Sequence, residues 1–314
     1  MAKKEPFRIS ESSTTTKVWV TILVLFGLAL VATVITSLIM LFGSSQGGVY
    51  GANVAVIPVE GTLLVGSDTS FTGGVAASDT LLADIRTAED DASIKAIIFR
   101  INSPGGSAVA SDEVATAIKR MKKPTVAVIR EVGASGAYWV ASATDHVVAN
   151  RMSITGSIGV IGSYLSFGRF LSDWNVTYNQ LIAGDQKDIG TPFRELEPQE
   201  RLFLQQKLDT IHEYFIQAVA ENRNMSVEQV RPLADGRFFL GSEAKENGLV
   251  DELGGEQEAL DWINATIKEK PITVVYEHKR SLVDVLAGLS TQQSLTPEAA
   301  LQAAAEQDGV PMAK

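Results

Sequence analysis

Three short stretches carry residue types that could do covalent chemistry. In Glu131-Val132-Gly133-Ala134-Ser135-Gly136-Ala137-Tyr138-Trp139 a serine stands among small residues at a corner. Flanking glycines allow close backbone approach, and a helix starting there would offer free N–H groups to a developing anion. That suits a nucleophile, and it equally suits a serine capping a helix in a tight turn. In Asn102-Ser103-Pro104-Gly105-Gly106-Ser107 two glycines at a strand end read as a turn or as oxyanion donors. The third stretch is Ala183-Gly184-Asp185-Gln186-Lys187-Asp188-Ile189-Gly190, which presents a lysine.

A serine nucleophile needs a base. The three histidines are His146, His212 and His278. His212 lies in a long helical pattern and His278 near the C-terminal end, so both read as surface residues. His146, on a strand shortly after Ser135, could approach it, although a strand-end histidine is more commonly structural. The Gly-x-Ser-x-Gly elbow is broken, because Ala137 takes the last glycine position. A lysine base must be neutral, which requires a pocket where desolvation lowers its pKa. Ser242–Lys245 has Ser-x-x-Lys spacing but reads as a helix cap on a solvated face. Lys187, after the apolar run Tyr178–Ile182, is a candidate, though a loop lysine between aspartates also reads as solvated. No His-x-x-x-His or Gly-x-x-x-x-Gly-Lys pattern occurs, so neither metal nor cofactor is expected. With no cysteine there is neither a disulfide nor a thiol nucleophile.

The elements that would position these residues follow in order. Asn53–Val59, Lys95–Ile101 and Thr125–Ile129 are β-branched, apolar runs of the kind buried on both faces of a sheet. Asp145–Ala149, Tyr178–Ile182 and Ile272–Tyr276 read as further strands. Helical spacing follows Ser78-Asp79, which can cap it, and recurs over Asp112–Met121, Ser135–Ala143, Glu197–Asn222, Gly241–Gly248 and Glu256–Lys268. Gly66–Ala77 reads as a mobile loop. Strand–helix alternation predicts an α/β fold with largely parallel strands, in which sites collect at the carboxyl ends of the strands. Both glycine-rich corners fall there, which favours a functional Ser135.

The 314 residues carry a net charge of −10. Residues 1–17 are basic on balance (Lys3, Lys4, Arg8 and Lys17 against Glu5 and Glu11), so the remainder is strongly acidic. That excludes a nucleic-acid surface. Val18–Phe42 has no charged residue and would make a helix of roughly 37 Å, enough to cross a bilayer. It exceeds the apolar region of a cleaved signal peptide. The expectation is a signal anchor over 18–42 in contact with lipid, with 1–17 in the cytoplasm and the rest outside. A linker (43–52), an extracytoplasmic domain (53–280) and a loosely ordered tail (281–314) complete the expected organisation.

Five motifs together resemble the signal peptide peptidase A family, relatives of protease IV, in its short single-repeat form. They are Arg100–Gly106, Gly133–Tyr138, Thr155-Gly156-Ser157-Ile158-Gly159-Val160, Gly184–Asp188 and Gly248-Leu249-Val250-Asp251, and the similarity covers roughly residues 53–270. The resemblance implies a ClpP/crotonase-like fold and a homo-oligomeric ring. It implies Ser135 as nucleophile, Lys187 as general base (supplied by the same or a neighbouring subunit) and Ser157 bonded to the lysine amine. Gly105 or Gly106 with Gly136 would supply oxyanion N–H groups. The implied substrates are signal-peptide remnants and other extended chains, cut next to small or apolar residues at the outer face of a bacterial-type inner membrane. Two other classes share parts of the pattern: an acyl-CoA enzyme of crotonase fold, and a non-catalytic membrane scaffold.

Overall fold

The structure, a computed structural model, describes residues 14–42, 51–66 and 74–276. Two compact units make up the chain: residues 1–48 together with 278–314, and residues 49–277. The expected cytoplasmic segment up to residue 13, most of the linker, His278 and the tail lie outside the described residues.

The first unit contributes helix α1 (Thr14–Phe42). After Lys17 it has no charged residue, and Trp19, Leu23, Phe26 and Leu30 are exposed around it. Among the described residues no helix is long and apolar enough to cross a membrane. A helix over 18–42 is therefore established, and a membrane span is not.

The second unit begins with β1 (Val54–Glu60), β2 (Thr62–Leu64), β3 (Val75–Ala77), α2 (Ser78–Asp90) and β4 (Ala96–Ser103). Then come α3 (Ala108–Lys119), β5 (Thr125–Ala134), α4 (Gly136–Ser142), β6 (His146–Ala149) and β7 (Ile154–Gly156). It continues with α5 (Gly168–Asp173), α6 (Pro198–Asn222), α7 (Val227–Val230), a 3-10 turn (Arg231–Leu233) and β8 (Phe238–Leu240). The last elements are α8 (Gly241–Glu246), β9 (Glu252–Leu253), α9 (Glu256–Ile267) and β10 (Thr273–Val275).

The main sheet runs β10-β1-β4-β5-β6-β9, and every pair along it is parallel. Its strands are apolar on both sides because both faces are covered. Ile57, Ile97, Phe99, Ile101 and Ile129 pack with Leu81, Val114, Val140 and Phe215 from α2, α3, α4 and α6. Val54, Val56, Ile98, Val126 and Val128 pack with Ala259 and Ile263 of α9. Each such fully buried aliphatic side chain contributes about 1.5–3 kcal/mol. The expected α/β class and parallel sheet are present.

Several local expectations need correction. The strand expected to end at Ile129 continues to Ala134, because its far half acquires a new partner in β7, with Val132 opposite Ile154. Val75–Ala77 is a strand paired with β2 and not part of a loop. Ser78 lies inside α2, where its hydroxyl donates to Glu113 at 3.2 Å, and Ala77 is the N-cap. Ser242 likewise lies inside α8, whose N-cap is Leu240. Tyr178–Ile182 is not a strand: Tyr178, Leu181 and Ile182 are apolar, but the stretch has no ladder partner among the described residues.

Candidate active site

Ser135 is the joint between β5 and α4. Its backbone sits at φ 53°, ψ −127°, a region sparsely populated for residues with a side chain. Such a conformation persists only where the surroundings over-determine it. Its N–H donates to the Gly156 carbonyl at 2.8 Å, and its own carbonyl accepts from the N–H groups of Tyr138 and Trp139 at 2.9 and 3.1 Å. Although Ser135 occupies the N-cap position of α4, its hydroxyl makes no capping bond. The capping reading required that bond. The geometry leaves Oγ available.

Helix α4 is buried along its whole length, and that is what fixes Ser135. The Trp139 ring stacks on Phe215 of α6 with centroids 4.7 Å apart. The Tyr138 hydroxyl donates to the Leu249 carbonyl at 2.8 Å, and burial pushes its pKa well above the usual tyrosine value. Close by, burial works against the charge on Asp251. Hydrogen bonds from Arg223 and the Val147 N–H outweigh it and hold that carboxyl below its usual range.

The two glycine corners meet at Ser135. Gly105 has φ 93°, and a Cβ there would lie 2.6 Å from the Gly136 nitrogen and 3.0 Å from the Ser135 Cβ. A Cβ on Gly136 would collide with the Ser111 hydroxyl. Only glycine lets these backbones approach. The Gly105 N–H is taken by Ser103 Oγ at 3.1 Å, so Gly105 is not placed to donate to an oxyanion. The Gly106 N–H finds no acceptor among the described residues. The Gly136 N–H, in the first turn of α4, has no intrahelical partner. These two donors flank the serine.

Ser135, Gly136, Gly106 and Ser157 line one cavity of about 800 Å³, whose opposite wall is α6. Ser157 also has a positive φ, 50°; its N–H donates to the Arg237 carbonyl at 2.9 Å and its hydroxyl to the Gly236 carbonyl at 3.3 Å. Trp139, Val160, Leu208, Ile211 and Phe215 make much of the wall apolar. Asp235, on the rim, is held at a pKa of about 2 by its hydrogen bonds from Arg237.

Lys187 is not brought to this cavity within one chain. It is exposed and lines a separate groove with Tyr178, Leu181, Ile182 and Ile189. His146 is equally remote. It pairs with Val126 at the start of β5, so Ser135 lies on the order of 30 Å further along the strand. Its ring stacks on Trp262 at 5.0 Å, and Nε2 lies 3.2 Å from Glu252. Among the described residues no group of acidic or histidine side chains is arranged to hold a metal ion.

His212 corrects the expectation of a surface residue. It lines the Ser135 cavity, and its buried Nε2 finds no hydrogen-bond partner among the described residues. Its place was legible. His212 stands four residues after Leu208 and three before Phe215, on the inward stripe of α6.

Residues 117–270 match Peptidase family S49, and residues 62–171 match Clp protease. A Synechocystis protein named as a protease is 39% identical over 195 residues, which cover 61% of this chain and 70% of the relative. The chain belongs to peptidase family S49. An Enterococcus faecium relative named signal peptide peptidase SppA is 31% identical over 240 residues, 74% of this chain and 69% of its own. A Methanocaldococcus jannaschii relative, also named as a protease, is 37% identical over 174 residues. The aligned region is 55% of this chain and 56% of that relative, so the chain spans little more than half its length. The S49 match contains Ser135, Ser157 and Lys187; Gly105 and Gly106 fall within the Clp protease match.

Proposed function

We propose that this chain is a serine endopeptidase in which Ser135 is the nucleophile and Lys187 the general base. The carrying observation is Ser135 itself: a strained, uncapped serine whose hydroxyl has no hydrogen-bond partner among the described residues and which shares its cavity with Gly106 and Gly136. In the first step the neutral Lys187 amine takes the Oγ proton as Oγ attacks the peptide carbonyl. The oxyanion is held by Gly106 and Gly136, and the lysine ammonium then protonates the leaving amine. Water, with its proton taken by Lys187, releases the acyl group. Ser157 completes the lysine's hydrogen bonding.

Because Lys187 and Ser135 line different cavities of one chain, the dyad forms between neighbouring copies in a homo-oligomeric ring. Burial in that contact would desolvate the amine, which favours the uncharged form that a base requires. The apolar wall from Trp139 to Phe215 suits small or apolar side chains of an extended substrate, such as signal-peptide remnants. On its sequence alone, the uncharged run 18–42 is assigned as the membrane anchor, with the basic segment before it in the cytoplasm and the peptidase domain outside.

A second reading has one observation in its favour. His212 shares the cavity with Ser135 and has an unpartnered Nε2, so it could serve as the base. Peptide hydrolysis by the full-length protein in detergent separates the two. Lys187→Ala and Ser135→Ala are each expected to lower kcat by about 10⁴-fold or more, with His212→Ala active. Turnover retained by Lys187→Ala and lost in His212→Ala would reverse the assignment.

A further inference from the structure

Arg194 stands between the Lys187 loop and the start of α6. Its Nε and Nη2 donate to Asp188 Oδ2 at 2.9 and 2.7 Å. Its Nη1 and Nη2 donate to Glu200 Oε2 and Oε1 at 2.7 and 2.5 Å. Glu200 is itself buried and accepts the Glu197 N–H at 2.9 Å at the beginning of α6. The Arg194 carbonyl is held in turn by Ser166 Oγ at 3.1 Å.

By contrast, the backbone ties of the Lys187 loop stay within residues 161–193, the longest-range of them running from the Phe167 N–H to the Pro192 carbonyl at 2.6 Å. Lys187 N–H reaches Gly184 at 3.0 Å and Thr191 N–H reaches Asp188 at 2.9 Å. Such turns shape the loop without attaching it to the body. Arg194 makes that attachment, since Asp188 is Lys187's neighbour and α6 is sunk into the core through Phe215, Ile216 and Val219. A planar guanidinium that grips two carboxylates fixes orientation as well as distance, which an ammonium cannot do. Hydrogen bonds from Arg194, joined at Asp188 by one from Gln180 and at Glu200 by one from the Glu197 N–H, hold both carboxyls below the usual range, so the clip is fully charged at neutral pH.

We propose that Arg194 is a positioning residue, a strut that fastens the Lys187 loop to α6 so that the base is presented in one orientation. This rests on the reading of Lys187 as the base. A loose loop would leave substrate binding unchanged and make the reactive geometry rare, so the loss falls on kcat.

The test measures kcat and KM for peptide hydrolysis by the full-length protein, on the alkaline plateau where the base is unprotonated. Arg194→Met is expected to lower kcat about 10- to 100-fold with KM little changed. Asp188→Asn, which leaves the Arg194–Glu200 pair and the start of α6 intact, should do the same without lowering the melting temperature or changing the sedimentation coefficient. Arg194→Lys, with the charge but not the fork, should fall between. Arg194→Met combined with Asp188→Asn should be no worse than Arg194→Met alone, as expected for one shared interaction. Wild-type kcat in both Asp188→Asn and Arg194→Lys, with Lys187→Ala inactive, overturns the strut and leaves the dyad standing. Activity in Lys187→Ala removes the dyad, and the strut with it. Should Arg194→Met not fold, Asp188→Asn decides alone.

Discussion

Ser135 and Lys187 lie in opposite kinds of surroundings. Ser135 ends an interior strand of the sheet, backed by a helix with no exposed residue. Lys187 belongs to an arm, residues 161–193, on which Leu165, Trp174 and Leu181 are 72%, 70% and 102% exposed. The first region spends core packing on holding one strained serine. The second displays apolar side chains that a lone chain leaves in water, the mark of a surface made for contact. Half of the proposed site is thus prebuilt by folding, and the other half waits for association.

Charging the arm away from either cavity gives the sharpest test of that division. Leu165→Asp with Trp174→Asp is expected to dissociate the assembly and to lower hydrolysis by about 100-fold or more, because desolvated apolar contacts dominate such interfaces. The melting temperature should stay within a few degrees. Sedimentation velocity beside peptide hydrolysis reads both, and a fully active monomer would erase the distinction between the regions. A smaller effect is expected in the body. Gly136→Ala drives a methyl into the Ser111 hydroxyl and should cost about 2–3 kcal/mol in denaturant unfolding. Adding Ser111→Ala should return part of that loss; no recovery would mean the strain lies elsewhere.

The smallest effect concerns the buried support of α4. Tyr138→Phe removes the donor to the Leu249 carbonyl and is expected to cost about 1–2 kcal/mol at neutral pH. Burial raises the folded-state pKa of Tyr138 above its ordinary value near 10. The stability due to the neutral hydroxyl is therefore whole below about pH 10 and lost as pH rises above it, when the unfolded chain ionises first. Wild type should show that alkaline limb in thermal melts, and Tyr138→Phe should flatten it. Identical limbs would show that α4 does not depend on this hydroxyl.

The sheet was legible in the sequence because Val54–Val59, Ala96–Phe99 and Val126–Ile129 are apolar on consecutive residues, which a sheet covered on both faces demands. What followed Ile129 was not. Arg130 and Glu131 interrupt the apolar run, yet the ladder with β7 carries β5 on to Ala134, and pairing at that range leaves no local trace. Tyr178–Ile182 failed the other way, with strand-like composition and no strand beside it among the described residues. At the site, Ser135 was visible through its glycines, and the inward place of His212 could be read from its spacing to Leu208 and Phe215, whereas the backbone strain of Ser135 and the diversion of the Gly105 N–H to Ser103 emerge only from packing. The place of Arg194 leaves no mark in the sequence, because its two partners are brought together by the fold of the loop onto α6.

The order of the sheet also has a consequence in time. Strand β1, first of the main sheet in sequence, is bordered by β4 on one side and by β10, the last, on the other. As the chain emerges from the ribosome, β4 and β5 can join β1 while its outer row of N–H and C=O groups stays open. That row is a template for stray strands until Thr273–Val275 arrives. Synthesis of the body is closed by its final strand, and a chain cut short before Thr273 would retain every residue of the Ser135 corner and still present a sticky edge.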